Sequence, residues 1–178
     1  MKRCLQESKL INDGNPDIKI KLGEKEFLKA VNLIADDINK KYKDKRIGLL
    51  GLARGALPLL VAVSHRVDIR NINVVQVTMT NSNKKWDYGN AKIENGYLDD
   101  EIDEYIVFED IVSHARSVNL VVNELQKKGK KVLDIYTLCM NNDMFDIELD
   151  DKDIDINYVY LICQKQWVNF FWEKGYEE

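Results

Sequence analysis

Between Glu24 and Lys43, the apolar residues Phe27, Val31, Ile34 and Ile38 recur every three or four positions with lysines and acids between them. That spacing predicts an amphipathic helix. Ile47–Ala53 is a short continuous apolar run and predicts a buried strand. The run breaks at Arg54–Gly55, and Ala56–Val67 predicts a helix with Pro58 in its first turn, where a missing N–H costs nothing. Ile72–Thr80 is β-branched and strand-like. Asn81–Asp103 is polar, with three glycine or turn clusters, and predicts a long loop or an excursion of short strands. Tyr105–Phe108 predicts a second buried strand that ends in Glu109–Asp110. Val118, Val121, Val122 and Leu125 mark a further helix, closed by Gly129 at the C′ position after Lys127–Lys128. Val132–Leu138 and Tyr158–Cys163 are two more strands. Strands that alternate with helices and are nearly continuously apolar predict a parallel sheet covered on both faces, with right-handed crossovers. The expected fold class is α/β, a three-layer sandwich.

Length and composition narrow the picture. The chain has 178 residues, 45% hydrophobic and 31% charged, which fits one globular domain over 1–178 and excludes disorder or a collagen-like repeat. No apolar run approaches the roughly 20 residues of a membrane span. Met1–Glu7 starts basic but has no apolar stretch behind it, so a secretory signal is not expected. Cys4, Cys139 and Cys163 form neither an even framework nor a CxxC pair, which points to a reducing, cytoplasmic setting without structural zinc.

The net charge of −4 conceals an asymmetry. Asp143–Asn157 holds seven acids and one lysine, a local −6, and leaves the rest of the chain at +2. No basic face for a long polyanion follows from this, so neither nucleic acid nor membrane is expected as a partner. A small anion held at one site is compatible with it.

Two strand ends carry unusual residues, at the side of an α/β sheet where ligands bind. Gly51–Ala56 is a glycine-bracketed turn with Arg54 leading into a helix N-terminus, an arrangement suited to an anion. It also reads as a tight connection with a solvated arginine. The second tip is Glu109–Asp110 followed by Ser113-His114-Ala115-Arg116-Ser117. Adjacent carboxylates on a strand are expected on opposite faces, which suits a polyhydroxyl ligand and a hydrated magnesium more than a paired acid and base. The alternative is a surface loop whose acids complement a helix dipole.

Strand, two acids, small-residue loop and helix resemble the phosphoribosyl-diphosphate signature of type I phosphoribosyltransferases. Gly51–Pro58 resembles that family's diphosphate loop. Gln166–Glu173 resembles the closing tryptophan segment of its purine branch, the xanthine, guanine and hypoxanthine enzymes. The resemblance runs from about Gly23 to Glu173. It implies a flexible hood loop over about 81–103 and a small C-terminal base-binding segment over about 139–178. It also implies a homodimer or higher homo-oligomer, Mg2+, and phosphoribosyl diphosphate and a nucleobase as substrates in nucleotide salvage. Carried over by position, Arg54, Gly55 and Ala56 bind the diphosphate. Glu109 and Asp110 hold the ribose hydroxyls, directly or through the metal. Ser113, His114, Ala115, Arg116 and Ser117 wrap the 5′-phosphate. Trp167 stacks on the base, the backbone of Val168 reads its edge, and Lys84 and Lys85 sit on the mobile hood.

The chain departs from that pattern in named places. Ser113 stands where the oxopurine branch has a proton-handling aspartate, with His114-Ala115 for Thr-Gly and Ser117 for a threonine. No lysine occurs at Met140–Asn142, where one reads the 6-oxo group, and Asn141 offers a neutral contact instead. Beside a phosphate, His114 is expected to gain a raised pKa; it is also a candidate proton carrier. Three functions therefore stand open: a purine-type phosphoribosyltransferase, a nucleotide-binding regulatory module without turnover, and an interaction domain that retains only the fold.

Overall fold

The computed structural model describes residues 2–6, 20–80, 88–141, 149–162 and 167–174. Among them run β1 (Lys2–Cys4), β2 (Ile20–Leu22), α1 (Glu24–Tyr42), β3 (Gly48–Ala53), α2 (Leu57–Val67), β4 (Ile72–Thr80), β5 (Tyr88–Tyr97), β6 (Glu104–Val112), α3 (Arg116–Lys127), β7 (Lys131–Asn141), β8 (Asp155–Ile162) and β9 (Val168–Phe170). Seven strands form one sheet in the order β1-β8-β7-β6-β3-β4-β5, parallel except for the antiparallel β4–β5 hairpin. A second, two-stranded sheet pairs β2 with β9 in parallel.

Strand alternation sorts the core into two layers. Leu49, Ile106 and Phe108 face one side and pack with α1 and α2. Leu50, Val107 and Ile135 face the other and pack with α3. The expected three-layer α/β arrangement is therefore present. In α1 the predicted stripe is the buried one, Phe27, Val31, Ile34 and Ile38 together with Ala30 and Ala35. Each large aliphatic side chain so buried contributes about 2 kcal/mol. Gly129, at φ 72°, closes α3 as its spacing predicts; the Gly129 and Lys130 N–H groups donate to the Gln126 and Leu125 carbonyls, both at 2.9 Å.

Of the polar stretch expected to be a long loop or an excursion of short strands, Tyr88–Tyr97 forms one ten-residue edge strand. Among the described residues of 139–178, Asp155–Ile162 lies in the central sheet and Val168–Phe170 in the small one.

At the end of the sheet away from the strand tips, a polar network ties α1 to β1, β7 and β8. Buried Asp134 accepts from Lys41 Nζ at 2.7 Å, Asn157 Nδ2 at 2.9 Å and the Tyr42 hydroxyl. Asp37 accepts from the Tyr136 hydroxyl at 2.6 Å, pairs with Arg3 and has Lys41 at 3.4 Å. Burial opposes ionisation of Asp37, but the Tyr136 hydrogen bond and the Arg3 and Lys41 charges outweigh it and hold its pKa below the ordinary value. Such a depressed carboxyl stabilises the fold at pH values above about 4, and that stabilisation is lost as pH falls through the folded-state value. Asp37→Asn is thus expected to cost about 1–3 kcal/mol at pH 7. Urea titrations should show the gap to wild type closing near pH 3; a constant gap would mean that the charge is immaterial.

Candidate functional site

β3 leads through α2 to β4 on one side of the sheet order, and β6 leads through α3 to β7 on the other. The chain thus diverges between the neighbouring strands β3 and β6, with α2 and α3 on opposite faces. A crevice opens beyond the carboxyl ends of strands at such a point. Here it is a cleft of about 350 Å³. A larger groove of about 840 Å³ runs between β5 and α3, but it lies on the flank, away from the strand tips.

The β3 tip supplies Arg54, exposed and lining the cleft, and Gly55. The Ala53–Arg54 peptide is cis. The turn satisfies its own first N–H groups: Ala56 donates to the Leu52 carbonyl at 3.2 Å and Leu57 to that of Arg54 at 3.1 Å. Ala56 itself is fully buried behind the cleft. Gly55 lies against β6, so closely that a Cβ there would overlap the Asp110 carboxylate, with Oδ1 at 2.7 Å. The two tips singled out in the sequence form one cleft.

The β6 tip runs further than predicted, to Val112. Its last pairing with β3 is Gly51 to Phe108, whereas its pairing with β7 continues to Val112. Beyond Phe108 the strand therefore has one open edge, and Gly55 folds over it. Glu109 and Asp110 keep partners on the two faces of the strand, Ser117 of α3 for Glu109 and Gly55 ahead of α2 for Asp110, and both line the cleft. Glu109 accepts from Ser117 Oγ at 3.1 Å, and Asp110 Oδ1 accepts from the Ile111 N–H at 2.8 Å. Burial and then the Asp110 charge push the Glu109 pKa well above the usual carboxyl range. Burial also raises that of Asp110.

Ser113, His114 and Ala115 form the turn into α3, and Arg116 and Ser117 open the helix; all five line the cleft. Ala115 adopts the left-handed conformation, φ 49° and ψ 8°, at a cost of about 1–2 kcal/mol for a residue with a side chain. Its methyl group is buried with Val112 and Val118 in the α3 layer, and its carbonyl accepts from the Asn119 N–H at 2.7 Å. Alanine thus takes a positive φ at the position where the pattern it resembles has glycine. Ser113 Oγ lies 3.1 Å from His114 Nδ1. Burial and the Arg116 charge lower the His114 pKa; the rise expected of it is one beside a phosphate. The rise presupposed an anion, whereas the groups facing the ring in the chain itself favour its neutral form.

The far wall comes from β7, β8 and β9. Asn141, buried at the end of β7, and Trp167 and Val168 all line the cleft. The Ile20 N–H donates to the Trp167 carbonyl at 2.9 Å. In a parallel pair with Ile20 opposite Val168, the N–H and C=O of Val168 itself are directed away from β2. Lys84 and Lys85 lie outside the described residues. Val77, Met79, Ile162, Phe170 and Glu173 also line the cleft and were not singled out in the sequence. Glu173 accepts the Phe170 N–H at 3.1 Å; burial and the Asp110 charge raise its pKa. The turn that brings it back depends on Trp172 stacking on Phe170, with ring centroids 4.6 Å apart, which spacing alone does not reveal.

Comparison with known proteins agrees with this architecture. The chain is 28% identical over 125 residues to the hypoxanthine phosphoribosyltransferase of Buchnera aphidicola, over 68% of this chain and 70% of that protein. Its fold is shared by the Helicobacter pylori xanthine-guanine-hypoxanthine phosphoribosyltransferase, with a TM-score of 0.65, 21% identity and coverage of 88% and 94% of the two chains. It is also shared by a hypothetical protein from Neisseria gonorrhoeae with bound ppGpp, with a TM-score of 0.68, 13% identity and coverage of 89% and 92%. The family described as the phosphoribosyl transferase domain matches residues 22–178. With the match spanning both strand tips and the tryptophan segment, the chain belongs to the phosphoribosyl transferase domain family.

Proposed function

We propose that this protein transfers ribose 5-phosphate from phosphoribosyl diphosphate to a purine-type base and releases diphosphate. The observation that carries this reading is the contact between Gly55 and Asp110, which joins the arginine turn and the two carboxylates in one cleft. In it, Arg54 and Gly55 would hold the diphosphate, with Ala56 buried behind them, and the turn Ser113–Ser117 at the start of α3 would receive the 5′-phosphate. Glu109 and Asp110 face the ribose hydroxyls between them. Trp167 offers a ring face to the base. The outward N–H and C=O of Val168 and the buried amide of Asn141 offer its edge neutral partners.

Buried Glu109 and half-buried Asp110, whose pKa values are raised by loss of solvent and for Glu109 also by its neighbour, form an acceptor pair suited to a divalent cation. Among the described residues no group of three or more metal-binding side chains converges, so Mg2+ held there would complete its shell with water and ligand oxygens. When bound, it would supply positive charge against the departing diphosphate. Arg54 supplies charge of the same sign from the opposite tip, where negative charge develops as the ribosyl centre becomes cationic.

Incubating the full chain with phosphoribosyl diphosphate, Mg2+ and a panel of purine, pyrimidine and nicotinate-type bases should release diphosphate with at least one purine. No release with any base would refute turnover. A second reading, nucleotide binding without turnover, draws on Ser113-His114-Ala115 and on the likeness to the ppGpp-bound Neisseria protein. It is distinguished by nucleotide binding in the absence of diphosphate release.

A further inference from the structure

The turn between β6 and α3 holds one titratable ring. His114 is half-buried and lines the cleft, with Nδ1 3.1 Å from Ser113 Oγ. Among the described residues, the charged groups around the cleft are Arg54 on the β3 turn, Glu109 and Asp110 on β6, Arg116 on α3 and Glu173 on the C-terminal turn. Lys2 of β1 lines a small cavity behind Ser113 and Ala115. Burial and then Arg116 favour the uncharged ring. In the neutral ring one nitrogen is a donor and the other an acceptor, and Nδ1 is within hydrogen-bond reach of the Ser113 hydroxyl, which can serve either role. An anion entering the turn reverses that balance, because an opposite charge within about 5 Å favours the protonated imidazole by one to three orders of magnitude.

We propose that His114 takes up a proton when a phosphate group binds in the Ser113–Ser117 turn. The proton comes from solvent and bonds to the ring nitrogen that lacks one in the neutral form, so that both nitrogens donate and the Ser113 hydroxyl accepts from Nδ1. The resulting imidazolium stands beside the phosphate. Phosphate affinity at this site therefore weakens as pH rises, although the phosphate is already a dianion above about pH 7. The inference rests on the phosphoribosyl reading of the cleft.

Calorimetric titration of the full chain with guanosine 5′-monophosphate and Mg2+ tests it, at pH 7.5 in buffers of different ionisation enthalpy. Wild type should take up roughly half a proton or more per ligand. His114→Asn should take up almost none and bind roughly tenfold more weakly, and His114→Gln should behave alike. Zero uptake by wild type overturns the proposal without recourse to a variant. Equal uptake by wild type and both variants overturns it as well, while leaving the phosphoribosyl reading intact. No binding of guanosine 5′-monophosphate or phosphoribosyl diphosphate to wild type overturns both.

Discussion

Glu109→Gln is expected to melt at a higher temperature than wild type at pH 7.5 and to release diphosphate at least about a hundredfold more slowly. The stability gain follows from the cleft's electrostatics. Burial and the Asp110 charge raise the folded-state pKa of Glu109. Between the unfolded value, near 4.3, and the raised one, the folded state holds the extra proton, so stability falls as pH rises through that window and stays low above it. Removing the ionisable group recovers about 1–2 kcal/mol at neutral pH and nothing near pH 4. Glutamine retains an oxygen for the Ser117 hydroxyl, so packing is nearly unchanged. The rate loss follows because an amide is a poor partner for a hydrated cation and a weaker acceptor for ribose hydroxyls. Thermal melts at pH 7.5 and pH 4, with a diphosphate assay, check both halves. A variant less stable than wild type at pH 7.5 would contradict the account of the pair.

Gly55→Ala is expected to lower activity at least about tenfold and stability by about 1–3 kcal/mol. The added methyl would occupy the position of the Asp110 carboxylate, which the Ile111 N–H holds at 2.8 Å and which cannot retreat without losing that bond. In Asp110→Ala the obstacle is gone, so Gly55→Ala made in that background should be milder. A double-mutant cycle should give a coupling of about 1–2 kcal/mol in stability. Strict additivity would mean that the two tips do not touch.

The elements most legible in the sequence were those whose burial is periodic along one stretch of chain. The α1 stripe and the valine stripe of α3 mark helices, and the apolar runs ending at Ala53 and Phe108 mark central strands. β5 was legible only as one of two readings, a loop or short strands, because YGNAKIENGY is rich in glycine and asparagine and lies at a sheet edge, where alternation is weak. The three-residue strands β1, β2 and β9 carry no local signal; remote partners define them. At the site, adjacency of the tips followed from the expected sheet. The open edge of β6 beyond Phe108 did not, because it depends on β6 outrunning β3 on that side only. Glu173 was missed because an aromatic stack, not a motif, returns it to the cleft.

Strands β1 and β2 find their partners in β8 and β9, and Arg3 bonds to Asn157 across 154 positions. During synthesis, neither early strand has anything to pair with until the late strands have left the ribosome. The helices and the β3–β4–β6 centre can assemble first, with the sheet edge and the tryptophan wall added last. A nascent chain halted before Asp155 should therefore hold a formed diphosphate turn and lack the Trp167–Val168 side of the base wall, so competence to recognise a base arises only once β8 and β9 are in place.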